Sequence, residues 1–103
     1  MAENGSRARL EVRPADHAAL ADGRPLQLTV RELQVLTELA QNPERVMTRE
    51  ELFARVWKRA YRKSDRSVDV YVGRLRSKIA RALPGSDYIH THTGIGYRFS
   101  PDG

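Results

Sequence analysis

Between residues 65 and 83, Val68, Val72, Leu75 and Ile79 recur at helical spacing until Pro84-Gly85 stops the pattern. The opposite side carries Arg66, Ser67, Val70, Arg74, Ser77 and Arg81, with Lys78 at its edge. Such a segment must bury its apolar face and turn its basic face outward, so the longest helix of the chain is predicted over 65–83, with Ser64 or Asp65 as its cap. The outward face holds four basic residues and no acidic one, whereas a solvated helix surface ordinarily mixes signs for i,i+4 pairing. Gly73 sits mid-helix at a cost of about 1 kcal/mol relative to Ala, which is understandable where something approaches the helix closely. A helix of this kind fits the DNA major groove, where Arg bonds guanine bidentately and small side chains such as Ser67 and Val70 permit close approach. Arg74 is the expected base reader. On this stretch alone, an ordinary solvated charge stripe is the competing reading.

The charge distribution favours the first reading. Residues 45–81 carry 12 basic and 4 acidic groups (net +8), while 1–44 are net −2 and 82–103 net −1, within an overall charge of +5. A positive field confined to one third of the chain and interleaved with core-type residues points to a folded surface for a polyanion. With 103 residues, 40% of them hydrophobic, the chain suits one domain. The absence of cysteine excludes disulfides and thiolate metal sites. No apolar run approaches membrane-span length and the polar start lacks a signal-peptide core, so a soluble, cytoplasmic protein is expected.

Residues 1–8 read as a flexible tail or linker and 9–103 as the domain. Arg9 to Arg13, Ala18 to Leu20 and Leu26 to Leu28 read as short strands, with a tight turn at Asp22-Gly23. Thr29-Val30-Arg31-Glu32 is a capping box opening a helix to about residue 41, which Asn42-Pro43 ends; Thr48-Arg49-Glu50-Glu51 is a second box opening a helix to about residue 58. Two such helices begin a helix-turn-helix unit. Residues 59–64 form a basic loop, and Tyr88 to Phe99 reads as a hairpin around a Gly-containing turn. The fold class is α+β: a small N-terminal antiparallel sheet, three helices and a C-terminal hairpin, arranged as a winged helix-turn-helix. Asp69 and Arg76 lie two turns apart on the flank of the third helix, and two readings stand: a mutual pair that aims Arg76 at a phosphate, or an ordinary exposed pair. Tyr71 either bonds a phosphate or covers the core edge.

From about Leu26 to Phe99 the chain resembles the OmpR/PhoB family of response-regulator effector domains. The resemblance rests on Leu28-Thr29-Val30-Arg31-Glu32, on Arg49-Glu50-Glu51-Leu52 with Val56-Trp57, on Arg66 through Lys78 as the R-x-V-D-V-x-I-x-R-L-R-x-K helix, and on Gly94-Ile95-Gly96-Tyr97 as the wing turn. It implies a four-stranded N-terminal sheet, a recognition helix in the major groove and a wing in the adjacent minor groove, with Thr91, Thr93 and Arg98 beside the DNA. By position, Arg74 would contact bases, and Arg66, Arg76 and Trp57 the phosphates. The loop Lys58, Arg59, Tyr61, Arg62 and Lys63 corresponds to a segment that touches RNA polymerase in some members, and it suits DNA equally. Two positions depart from the family: Thr93, preceded by His92, stands where an Arg often precedes the wing glycine, leaving Arg98 or a protonated His92 as substitutes, and Gly73 replaces a larger side chain.

The implied function is sequence-specific double-stranded DNA binding and transcription regulation by a chain that is monomeric alone and paired on DNA, without a cofactor. The rival from another class is a protein-interaction module that docks an acidic partner on the same face, and RNA is a weaker rival because aromatic platforms are few. His90 and His92 share a strand face but fall short of a metal ligand set. No nucleophile, acid/base pair or phosphate loop stands out, and Gly94-Ile95-Gly96 opens no helix, so catalysis is not expected.

Overall fold

A computed structural model describes residues 9–62 and 65–103; the expected tail, Lys63 and the candidate cap Ser64 lie outside the described residues. Strand β1 (Leu10–Arg13) is followed by β2 (Ala18–Ala21) and β3 (Arg24–Pro25), then helix α1 (Val30–Ala40), strand β4 (Val46–Thr48), helices α2 (Arg49–Trp57) and α3 (Ser67–Ala82), and strands β5 (Ile89–His92) and β6 (Gly96–Phe99). The strands form two antiparallel sheets, ordered β1-β2-β3 and β4-β6-β5. Three helices between two small sheets make a winged helix-turn-helix.

Among the described residues the N-terminal sheet has three strands, β1-β2-β3, where the resemblance implied four. Its third is Arg24–Pro25, where Leu26 to Leu28 was expected. Asp22 and Gly23 both take positive φ, the geometry of a tight hairpin turn. Pro25 offers no N–H to extend the ladder. One further bond, Leu26 N–H to Ala19 O at 2.8 Å, precedes a tight turn from Leu28 N–H to Leu26 O that leads the chain into α1.

Thr29 caps α1 by accepting from the Glu32 amide, while the Glu32 carboxylate accepts from the Thr29 amide at 2.9 Å. The second expected box forms only half. Thr48 accepts from Glu51 N–H, but the Glu51 carboxylate binds Arg45 instead. Helix α3 is shorter than 65–83: its N-cap is Arg66, without a side-chain cap bond, and the expected cap Asp65 lies one residue earlier, accepting from Ser67 N–H at 2.9 Å.

Val68, Val72, Leu75 and Ile79 of α3 are buried with Leu36 and Leu39 of α1 and Leu52 and Phe53 of α2. At about 2 kcal/mol per fully buried aliphatic side chain, this docking outweighs the cost of one mid-helix glycine. Sequence reading did not anticipate β4, which pairs with β6 in the register Val46↔Arg98, Met47↔Tyr97, Thr48↔Gly96. Gly96 is required there, since a Cβ would lie 1.9 Å from the Met47 carbonyl oxygen. The wing is therefore anchored to the start of α2 by a backbone contact only glycine permits.

Candidate nucleic-acid interface

Burying one face of α3 leaves Arg66, Val70, Gly73, Arg74, Ser77 and Arg81 exposed on the other. Among the described residues, Arg66, Arg74 and Arg81 form no salt bridge, although the Arg66 charge contributes to lowering the Asp69 carboxyl. An open depression on this face is lined by Val70, Gly73, Arg74, Ser77, Lys78 and Arg81, with Glu32 at its edge. Val70 is 45% exposed, and a Cβ added at Gly73 would meet nothing within 4 Å. Among the described residues, no packing contact demands the glycine.

The base-reader candidate is braced from behind. The Arg74 guanidinium lies over the Tyr71 ring at 5.0 Å, Tyr71 meets Trp57 edge-on at 5.5 Å, and Trp57 stacks on Phe53 at 5.0 Å. Arg31 lies over the other partner ring, Trp57, at 4.9 Å and donates to Val56 O. Trp57 and Tyr71 are half-buried links in a chain of rings that limits the freedom of Arg74. Spacing alone gave no sign that these two aromatic residues meet.

Other expected contact residues are engaged within the protein. Lys78 donates to Glu32 Oε1 at 2.7 Å and to Gln27 O at 3.1 Å, tying α3 to the start of α1. Glu32 is only 1% exposed. Burial alone would raise its carboxyl, but the bonds from Lys78 and Thr29 outweigh burial and hold it below the ordinary value.

Arg76 does not pair with Asp69. Its Nε and Nη2 donate to Ile89 O at 3.1 and 2.9 Å, and Nη2 also donates to Thr91 Oγ1 at 2.5 Å. Asp69 instead accepts from Arg49 Nε at 2.7 Å and from the Tyr97 hydroxyl. Burial pushes the Asp69 carboxyl up, yet these two donors bring it below its usual value; burial and then Asp69 push the Tyr97 phenol up.

In the wing, Arg98 donates to Glu44 Oε1 at 2.6 Å and to His92 Nε2 at 3.1 Å. His90 faces Asp87 at 3.5 Å. Thr91 and Thr93 are exposed, and between Gly94 and Gly96 the turn presents Ile95, 55% exposed. Sequence reading passed over Ile95, although an apolar residue between two turn glycines has no core to enter. In the loop, Arg59 lies over Phe53 at 4.6 Å and pairs with Asp65 at 3.6 Å, Tyr61 packs edge-on against Phe53, and Lys58 and Arg62 are exposed. Among the described residues, no helix is long and apolar enough to cross a membrane.

Helix, wing and basic face together define a winged-helix effector domain of the transcription-factor class. Residues 23–99 match the family described as transcriptional regulatory protein, C terminal, and the chain belongs to this OmpR/PhoB family. It is 40% identical over 81 residues to the transcriptional regulatory protein YcbL of Bacillus subtilis, a match covering 79% of this chain and 36% of YcbL. The chain spans about a third of the length of the curated relatives it matches. The DNA-binding domain of RstA from Klebsiella pneumoniae, solved in complex with the RstA box, superposes with a TM-score of 0.79 at 30% identity, covering 93% of this chain and 95% of that one. The DNA-binding domain of CpxR from E. coli gives a TM-score of 0.79 at 29% identity, covering 95% and 96%.

Proposed function

We propose that this chain binds double-stranded DNA sequence-specifically and regulates transcription, with α3 in the major groove and the β5–β6 wing at the adjacent minor groove. The observation that carries this reading is the exposed face of α3, where, among the described residues, Arg66, Arg74 and Arg81 form no salt bridge and surround a surface opened by Val70, Gly73 and Ser77. The complex of the similar RstA domain with its DNA box supports it.

The side-chain environments divide the work. Arg74, braced on Tyr71, reads bases; Arg66 and Arg81 at the two ends of the face take phosphates; Ser67 and Ser77 add hydrogen bonds at close range. Thr91, Thr93 and Ile95 meet the minor groove through polar and apolar contact in place of a cationic probe. Lys58 and Arg62 offer the loop's positive charge to DNA flanking the site or to RNA polymerase. Two copies occupy paired half-sites.

Arg74→Ala is expected to cost about 1 to 3 kcal/mol on the preferred duplex and to relax base preference there, whereas Arg66→Ala weakens preferred and random duplexes alike and lowers the salt slope by about one. Competition titrations on both duplexes measure this. Equal losses for the two variants on both DNAs reject the division.

A further inference from the structure

The cluster between α3 and the wing lies beside the exposed face and joins the two elements that the DNA-binding reading uses. From one flank of α3, Asp69 reaches β6 by accepting from the Tyr97 hydroxyl, and Arg76, two turns on, reaches β5 through Ile89 O and Thr91 Oγ1. Each strand of the wing thus has its own clamp from the same helix. The Tyr97 ring lies against two guanidinium groups, Arg49 at 5.1 Å and Arg76 at 5.4 Å, and Arg49 closes the circuit by donating to Asp69. Tyr97 is buried, so the junction is packed as well as bonded. A two-stranded hairpin of four-residue strands is marginal alone. Its orientation has to come from such contacts and from β4.

We propose that Arg76, acting with Asp69 and Tyr97, is a positioning residue that fixes the angle and reach of the wing relative to α3. Its role is not that of a phosphate ligand, and the proposal rests on the DNA-binding reading above. The chemistry favours this assignment. Three of the five guanidinium N–H donors are spent on a backbone carbonyl and a threonine hydroxyl of the wing, a planar fork that lysine cannot reproduce. With α3 and the wing held as one rigid reader, the duplex must conform to the fixed offset between Arg74 and the turn at Thr93–Ile95. Base pairs under the wing are then selected by the cost of shaping their minor groove.

Arg76→Lys separates the two roles because it keeps the charge and loses the fork. Arg76→Ala is the companion, with thermal melts to establish that both fold. Arg76→Lys is expected to lose about tenfold in affinity for the preferred duplex, the size of effect expected when a charged donor loses its acceptors. DNA retained from a randomised pool should keep its preference at the base pairs read by α3 and lose it at the flanking pairs. Amide hydrogen exchange on the DNA-free variant should quicken across 91–97 while the core of α3 stays protected.

Wild-type affinity and flank preference in Arg76→Lys, with loss only in Arg76→Ala, would overturn the proposal in favour of a phosphate contact. Unchanged exchange in the hairpin would overturn it too. Should the parent domain bind no duplex, the DNA-binding reading falls, and hydrogen exchange alone still decides whether Arg76 holds the wing.

Discussion

Arg74 and Arg76 stand two residues apart on one helix with the same charge, and their surroundings give them different tasks. Arg74 is exposed and, among the described residues, rests on the Tyr71 ring without a side-chain acceptor, so its donors are available; Arg76 spends its donors on the wing. From sequence the two were separable in direction but not in partners, because the groups that take Asp69 away from Arg76 lie 20 and 28 residues along the chain. Gly73 shows how a residue can be informative by what it omits. Since none of the described residues fills the space beside it, Gly73→Ala should stabilise the folded domain by up to about 1 kcal/mol while weakening binding to the preferred duplex. A melt and a titration on the same sample check both. A stabilised variant with unchanged affinity would mean that close approach to DNA is not what the glycine serves.

The helices were legible because caps and a 3.6-residue period are local signals. Thr29 and Glu32 form the expected reciprocal cap, and all four apolar α3 positions are buried. Strands β1 and β2 and the β5–β6 hairpin were legible as well, whereas β3 lies earlier than expected and β4 was missed. Residues 46–48 are too few to show alternation, and their partner β6 lies some fifty residues away. Glu51 looked like a cap from spacing, yet Arg45 outcompetes the backbone amide for its carboxylate.

The carboxylates between elements set the acid response. Glu32 and Asp69 are both held below their ordinary values of 4.5 and 3.8. A depressed folded value means stability that is complete above the unfolded value and lost as pH falls through the folded one. Thermal stability should therefore begin to fall as pH drops below about 4.5 and continue falling beneath 3.8. Glu32→Gln should cost about 1 to 3 kcal/mol at neutral pH, because the Lys78 ammonium loses its charged acceptor, and should flatten the acid limb. Melting temperature against pH reads this directly. Parallel curves for parent and variant would show that the Glu32–Lys78 tie carries no linkage.

At the scale of the whole molecule, the two shorter dimensions of 27 and 21 Å are smaller than one turn of duplex, about 34 Å. The long axis is 48 Å, so the proposed pairing on adjacent half-sites requires that this axis lie across the duplex and not along it. The positive field of residues 45–81 falls on the stretch that holds β4, α2 and α3, while the described part of the net-negative stretch 1–44 forms the N-terminal sheet and α1.

The most direct test of DNA binding through this basic face is a fluorescence-anisotropy titration of the domain against a randomised duplex pool at low and moderate salt, with sequencing of the retained DNA. With about four phosphate contacts, affinity should fall on the order of a hundredfold between about 50 and 200 mM salt, and the retained DNA should share a short repeated motif. Binding that is absent or indifferent to salt would contradict the account and assign the basic face to an acidic protein partner.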